Sequence, residues 1–443
     1  MKVRIPFPFG CAASAAVGVI SLTAAEPVAL TSPYINRLAE ELRTNHPALG
    51  AANARARAAE ANARSVRIWE DPMLRIGGMG AEEDMRAGEG DLLYGVEQRI
   101  PLFGRPQAVR RVAQADARVE RADADLRFQT LRRDLAQSLF RTAYADSAVD
   151  IGRQDAQWLR LLADAAEARF RSGQSRLPEL VLIQNELSSR TNELQTDMAR
   201  RDDLRVALNR QLNRPLDTPW PELALPEPAV RVAFTEKLVE LALRNEPHTK
   251  VLSERAGQAQ AMVEVSQRER YPEVALDLEG RNYTGNGDFR QGMVMLKFSL
   301  PLGNYSNYRK SIEREQDRLA AARLDVADQH LALRRELHEL TVTIDTARRE
   351  ALLYRDTLIP RTEQALSSAR SDWETGNGDF RDVLDLRRML LDARLKYARA
   401  VSEQWEALAD LTLCCGLGDL EASSMIGVET GAPPSSATPP RNP

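Results

Sequence analysis

The sequence predicts a mainly α-helical chain with a membrane-type β component, built from two copies of one large module. Three observations carry this. Punctuation recurs at 200 residues: Asn45-His46-Pro47 is answered by Asn245-Glu246-Pro247, Asp71-Pro72 by Tyr271-Pro272, and Pro101-Leu102-Phe103-Gly104 by Pro301-Leu302-Gly303-Asn304. A period that long exceeds any solenoid unit and marks a duplicated supersecondary module. Aromatic residues make up only 5% of the chain while Ala, Leu, Arg and Glu abound, which is the usage of long helices. Finally, four short spans alternate apolar and charged residues with the period of a β-strand.

Lys2 and Arg4, the apolar stretch around Cys11 to Leu22 and then Thr23-Ala24-Ala25 fit a secretory signal cleaved after Ala25. Cys11 as a lipoprotein cysteine is the alternative, which Pro8-Phe9-Gly10 before it disfavours. Beyond the signal no run of about 18 apolar residues exists, so no membrane-spanning helix is expected, leaving a soluble periplasmic protein or a β-barrel. With 60 basic and 64 acidic residues the formal charge is −4, which gives no electrostatic case for nucleic acid. Cys414 and Cys415 would be the only cysteines left after cleavage; adjacent cysteines pair poorly, and they read as small buried residues near a helix end.

The first module, 26–214, opens with a helical run from about Tyr34 to Trp69, stopped by Asp71-Pro72 because proline drives the preceding residue out of helical geometry. A second helix runs from Pro106 through Arg171, interrupted by no proline and only Gly152. Phe128, Leu131, Leu135 and Leu139 keep to one face of it. Ser172-Gly173-Gln174-Ser175 ends that helix, and another follows from Leu177 to Leu212. At 1.5 Å per residue the middle helix is about 100 Å long and the flanking runs about 54 Å each, so two short rods end to end match one long rod. Such lengths suit a coiled-coil wall and not a globular core. The second module, 232–418, repeats the pattern with runs near Val232–Arg270, Tyr305–Thr375 and Phe380–Leu413. Pro215, Pro219, Pro221, Pro226 and Pro228 make 215–231 a non-helical connector, and 419–443 reads as a disordered Pro-rich tail. Pro360 is expected to kink the long helix of the second module near its end.

The four alternating spans are Met73–Gly80, Asp91–Leu102, Glu273–Asn282 and Gln291–Leu302, near the length that crosses a bilayer as a tilted strand. Because the repeat offset is even, equivalent positions face the same way. The even positions Leu74, Ile76, Leu92, Tyr94, Val96, Val274, Leu276, Leu278, Val294, Leu296, Phe298 and Leu300 are apolar. The charged positions Arg75, Glu97, Arg99, Asp277, Glu279 and Lys297 are all odd, while Leu93, Met293, Met295 and Gln98 depart from the pattern. A half-buried soluble sheet alternates in the same way. Trp69, Phe103, Tyr271 and Tyr305 near the strand ends suit an interfacial girdle and favour a barrel with a lipid face and a wet lumen. Four strands cannot close, so two, three or four copies must join.

In these residues the chain resembles the TolC-like outer-membrane efflux proteins. The path of signal, helix, Asp71-Pro72, β-hairpin, Gly95-Val96-Glu97-Gln98 into Pro101-Leu102-Phe103-Gly104-Arg105, long helix, glycine turn and helix, taken twice, covers about Tyr34 to Gly416 and looks closest to the heavy-metal efflux branch. The resemblance implies a homotrimer with a shared 12-stranded outer-membrane barrel, continuous with a long periplasmic α-helical barrel, into which each chain puts four strands. It also implies a periplasmic adaptor and an inner-membrane RND-type pump as partners, while the residues themselves give no expectation of a cofactor or a resident metal. The turns Ser172-Gly173-Gln174 and Thr375-Gly376-Asn377 then correspond to the adaptor-docking tips. Asp382 and Asp385, three apart and so on one helix face, correspond to the acidic ring at the tunnel entrance, with Asp379 a lesser addition. One departure is Gly378, where TolC carries an arginine that ties the closed entrance.

No phosphate loop, zinc-binding helix signature or serine elbow appears, and His46, His248, His330 and His338 are scattered, so a catalyst is not expected. The leading expectation is an outer-membrane exit duct passing metal cations or drugs. A soluble periplasmic coiled-coil adaptor is the rival reading, and an inert spacer a third.

Overall fold

The computed structural model describes residues 27–79, 90–284, 287–300 and 303–418. The signal, Cys11, Gly80, Pro301, Leu302 and the tail from 419 lie outside these residues. The chain begins with strand β1 (Val28–Ala29) and helices α1 (Ser32–Asn45) and α2 (Pro47–Ser65), followed by β2 (Met73–Met79) and β3 (Asp91–Ile100). Helices α3 (Arg105–Arg171) and α4 (Leu177–Gln211) form the first long hairpin. After β4 (Leu223–Ala224) come α5 (Glu236–Asn245), α6 (Pro247–Glu269), β5 (Glu273–Tyr283) and β6 (Phe289–Ser299). The second hairpin is α7 (Tyr305–Leu353), a π-helical turn at Tyr354–Leu358, α8 (Ile359–Glu374) and α9 (Phe380–Cys414).

The runs expected over 34–69 and 232–270 are each two helices. Pro47 and Pro247 start new helices, because the residues before them, His46 (ψ 121°) and Glu246 (ψ 123°), are extended. Both residues cap: His46 Nδ1 accepts from Ala48 N at 3.1 Å, and Glu246 accepts from His248 N and Thr249 N. The last residues expected of the first run, Val66 to Trp69, are not helical.

The uninterrupted rod α3 spans 67 residues. It packs against α4 along one half and against α2 and α6 along the other, so short helices placed end to end do back a long one. Near the sheet the packing is alanine on alanine, Ala59 and Ala63 against Ala113 and Ala117, which brings the axes close and keeps the wall thin. Midway, Leu38, Leu42, Leu139, Phe140, Leu337 and Leu408 gather in the largest core, where each leucine contributes about 2 kcal/mol by burial.

The connector is bound to this core rather than loose. Buried Asn209 donates to the carbonyls of Leu216 and Thr218 and accepts from Trp220 Nε1 at 2.7 Å. Buried Gln404 exchanges hydrogen bonds with both backbone groups of Ala229. The connector also supplies β4, which pairs in parallel with β1, a two-stranded sheet that the proline-rich sequence hides.

The helix widens into a π-turn that ends two residues before Pro360. Proline offers no N–H to the preceding turn and crowds its carbonyl, and the wider turn absorbs both defects.

The four membrane-type strands form one antiparallel sheet in the order β2-β3-β5-β6, so β3 and β5 join the two hairpins and β2 and β6 are open edges. Even positions pair with even ones in rows such as Leu74, Val96, Leu278 and Val294. Most of that face is bare: Ile76 and Val294 are 71% exposed and Leu74 66%. Val274 is the exception at 4%, because the sheet meets the helices there.

Candidate functional site

Two regions gather the charged and turn residues singled out from the sequence. At the far end of the helices, Gly173 (φ 75°) and Gly376 (φ 84°) adopt the left-handed conformation that stops a helix and that a side chain would strain. Each closes the same paired motif, Gly173 N to Phe170 O with Gln174 N to Arg169 O, and Gly376 N to Trp373 O with Asn377 N to Asp372 O. Ser172, Gly173, Gln174, Thr375, Gly376 and Asn377 are all exposed. Beneath them, Leu159, Leu162, Ala166, Ile183, Trp373, Phe380, Val383 and Leu384 form a compact apolar cluster joining the two hairpins.

The three aspartates differ in their surroundings. Asp379 caps α9, its carboxylate accepting from Arg381 N at 2.9 Å, so it serves the helix start. Asp382 is exposed in the first turn of α9. Asp385 is 72% exposed and lies 3.4 Å from Arg388.

Contacts that the sequence left unread join the hairpins. Asp155 on α3 is 3% exposed and takes Arg190 of α4 at 3.1 Å and Arg387 of α9 at 2.6 Å, with the Arg387 guanidinium 4.6 Å from the Trp158 ring. Arg388 forks onto Glu186 with N–O distances of 3.2 and 2.5 Å. That hydrogen bond holds the Glu186 carboxyl below its ordinary range against the opposing effect of burial. Arg169 reaches from the first tip to the carbonyls of Trp373 and Glu374 on the second. Gly378 has a steric reason: a Cβ there would lie 2.9 Å from Trp373 N and 3.0 Å from Asp372 Cβ. The one sequence signal for Asp155 was its place in the stripe Gly152, Ala156, Leu159, Leu162 and Ala166, where a carboxylate needs buried partners.

On the sheet, the odd charged positions meet across strands. Asp277, wholly buried, takes both Arg75 and Lys297, and Lys297 also reaches Glu97 at 2.7 Å. Glu279 sits 3.7 Å from Arg281. Arg99 leaves this network and pairs with Glu70 at 3.3 Å at the strand end. The register rows Met73, Glu97, Asp277, Met295 and Arg99, Ala275, Lys297 put these side chains on the face opposite the apolar one.

Among the described residues no helix is long and apolar enough to cross a membrane, and no group of three or more His, Cys, Asp or Glu side chains is placed to hold a metal ion. Cys414 and Cys415 are buried and free, and burial pushes the Cys415 thiol up to about 12 and Cys414 higher still.

The profile of the outer membrane efflux protein family matches residues 38–214 and 238–417. The cobalt-zinc-cadmium resistance protein CzcC of Cupriavidus metallidurans is 24% identical over 187 residues, which span 41% of this chain and 42% of that protein. The fold resembles CusC (TM-score 0.77, 14% identity, 87% of this chain and 92% of that one). It also resembles the open state of the MtrE outer membrane channel of Neisseria gonorrhoeae (TM-score 0.74, 15% identity, 88% and 90%).

Proposed function

The chain belongs to the outer membrane efflux protein family, and from that premise we propose that it is the passive exit duct of a tripartite efflux pump. The open-edged sheet carries this reading. Its edges β2 and β6 present unpaired backbone groups, and its outer face is a continuous apolar band. Unpaired edges are not tolerable in lipid unless further copies pair them, and a bare apolar band is not tolerable in water. Three copies close a 12-stranded barrel whose outside is the even face and whose lumen carries Arg75, Glu97, Asp277, Glu279 and Lys297, with Arg99 at its helix end turned toward Glu70. The hairpins continue the barrel into the periplasm as an α-helical tunnel. Modules 26–214 and 232–418, flanking the connector 215–231, are the two repeats, in keeping with the two matched segments.

At the tunnel end, six carboxylates from Asp382 and Asp385 of three copies ring the entrance and favour cations. The exposed turns at Gly173 and Gly376 dock a periplasmic adaptor, which brings an inner-membrane RND-type pump. The name of the relative CzcC supports metal cations as cargo over drugs. A periplasmic adaptor, the rival reading, has no use for a bare apolar band on a sheet.

Membrane fractionation, light scattering in detergent and planar-bilayer recording test the duct together. A trimer that needs detergent and conducts ions is expected. A monomer that stays soluble without surfactant, or a trimer with no conductance, overturns the reading.

A further inference from the structure

Where β3 and β5 meet the helices, a small open cleft of about 70 Å³ lies beside the apolar band. Its walls mix two kinds of surface. Ile68, Ile100, Leu102 and Val274 continue the apolar face, and Phe103 stacks on Tyr271 with ring centroids 5.4 Å apart. Arg99, Arg105 and Arg268 supply three guanidinium groups against the two carboxylates of Glu70 and Glu273. Glu273 is shared, bound by Arg105 and 4.0 Å from Arg99, and Glu70 is held by Arg99. Arg268 donates to Phe103 O at 3.4 Å, and among the described residues no carboxylate pairs with it. One positive charge is therefore left over, next to an apolar slot at the expected level of the membrane interface.

The geometry points to a binding site for the phosphodiester headgroup of an anionic glycerophospholipid, one per protomer, in the periplasmic leaflet. A single phosphodiester matches the uncompensated charge, and arginine binds phosphate by paired hydrogen bonds. The stacked rings and the prolines 101, 106 and 272 take the glycerol and the first acyl carbons. The first turn of α3 adds unpaired N–H groups at the rim, since Gly104 offers no side-chain cap.

The fold by itself does not demand this chemistry. At the 200-residue repeat positions, Arg99, Phe103 and Arg105 become Ser299, Gly303 and Tyr305, while Arg268, Tyr271 and Glu273 become Ile68, Asp71 and Met73. The arginine set belongs to the β3–β5 junction, and its counterpart at the join between copies lacks it.

The site rests on the outer-membrane reading above, and its test separates the two. The full-length protein in detergent is doped with phosphatidylglycerol, phosphatidylethanolamine or phosphatidylcholine, and retained lipid is counted by native mass spectrometry beside bilayer conductance. Retention of phosphatidylglycerol over phosphatidylcholine by about tenfold is expected, and R105Q with R268Q abolishes that preference while conductance persists. E273Q removes one carboxylate and tightens retention, a gain that misfolding cannot imitate. Equal retention of all three lipids by a conducting protein, or an unchanged preference in both variants, overturns the site alone. Preference for phosphatidylethanolamine would assign the cleft to a zwitterionic headgroup and overturn the anionic assignment. A protein that never enters membranes removes the duct reading and this site with it.

Discussion

The guanidinium of Arg169 lies 4.7 Å from the centre of the Trp373 ring and donates to the Trp373 carbonyl at 3.0 Å. One side chain thus ties the first helical tip to the second, some 200 residues later in the chain. The backbone N of the same Trp373 would lie 2.9 Å from a Cβ at Gly378, so a side chain there is crowded.

Arg169→Ala is expected to loosen the two tips, at a cost of about 1–3 kcal/mol for the lost ring contact and carbonyl bonds. Single-channel recording should show larger or longer openings, and hydrogen exchange should rise over 366–380. Wild-type openings with unchanged exchange would show that the contact holds nothing shut.

Asp155→Asn leaves Arg190 and Arg387 facing a neutral partner in a buried site. Breaking a pair buried to this extent costs about 3–5 kcal/mol, so a lower melting temperature of the helical hairpins is expected. If the variant melts like wild type, the triad is not a structural joint.

The aspartates of the proposed entrance ring should act unequally, because Asp385 shares its charge with Arg388 while Asp382 has no such partner among the described residues. Asp382→Asn is expected to lower cation selectivity in bilayers more than Asp385→Asn, and the double variant most. Selectivity that survives the double change removes the ring from the mechanism.

Acid should weaken the link between α4 and α9. The Glu186 carboxyl lies below its ordinary value of 4.5 because Arg388 hydrogen-bonds it, so its stabilisation is complete above that value and disappears as pH falls through the lowered one. Asp146 has the opposite sign. Burial raises its carboxyl despite Arg205 at 2.7 Å and Leu223 N at 2.9 Å, so it favours the fold at low pH and loses that contribution as pH rises through its raised value. Hairpin stability measured between pH 3 and 7 should drop less on acidification in Glu186→Gln than in wild type. An identical drop would place the acid-sensitive group elsewhere.

Bulky replacement at Gly376 forces a side chain into left-handed backbone at about 1–2 kcal/mol and reshapes the exposed turn. Gly376→Val should assemble and conduct yet fail to support pump-dependent resistance. Full resistance would argue against docking at this tip.

Sequence alone determined the features that are local or periodic. Glycine at 173 and 376 marked the turns, the lack of proline between 107 and 171 marked the rod, and strand parity sorted apolar from charged faces. All of these follow from backbone conformation and side-chain spacing, which a single segment contains. Tertiary structure decided everything that depends on which segments become neighbours: β3 beside β5, Asp155 between two arginines, Arg169 over Trp373, and the cleft at Arg105 and Arg268. Even the break at Pro47, present in the sequence and mirrored at Pro247, became a helix start once its preceding residue was held extended. An arginine in a helix reads the same whether it faces water or a buried carboxylate from another hairpin, and packing supplies the difference.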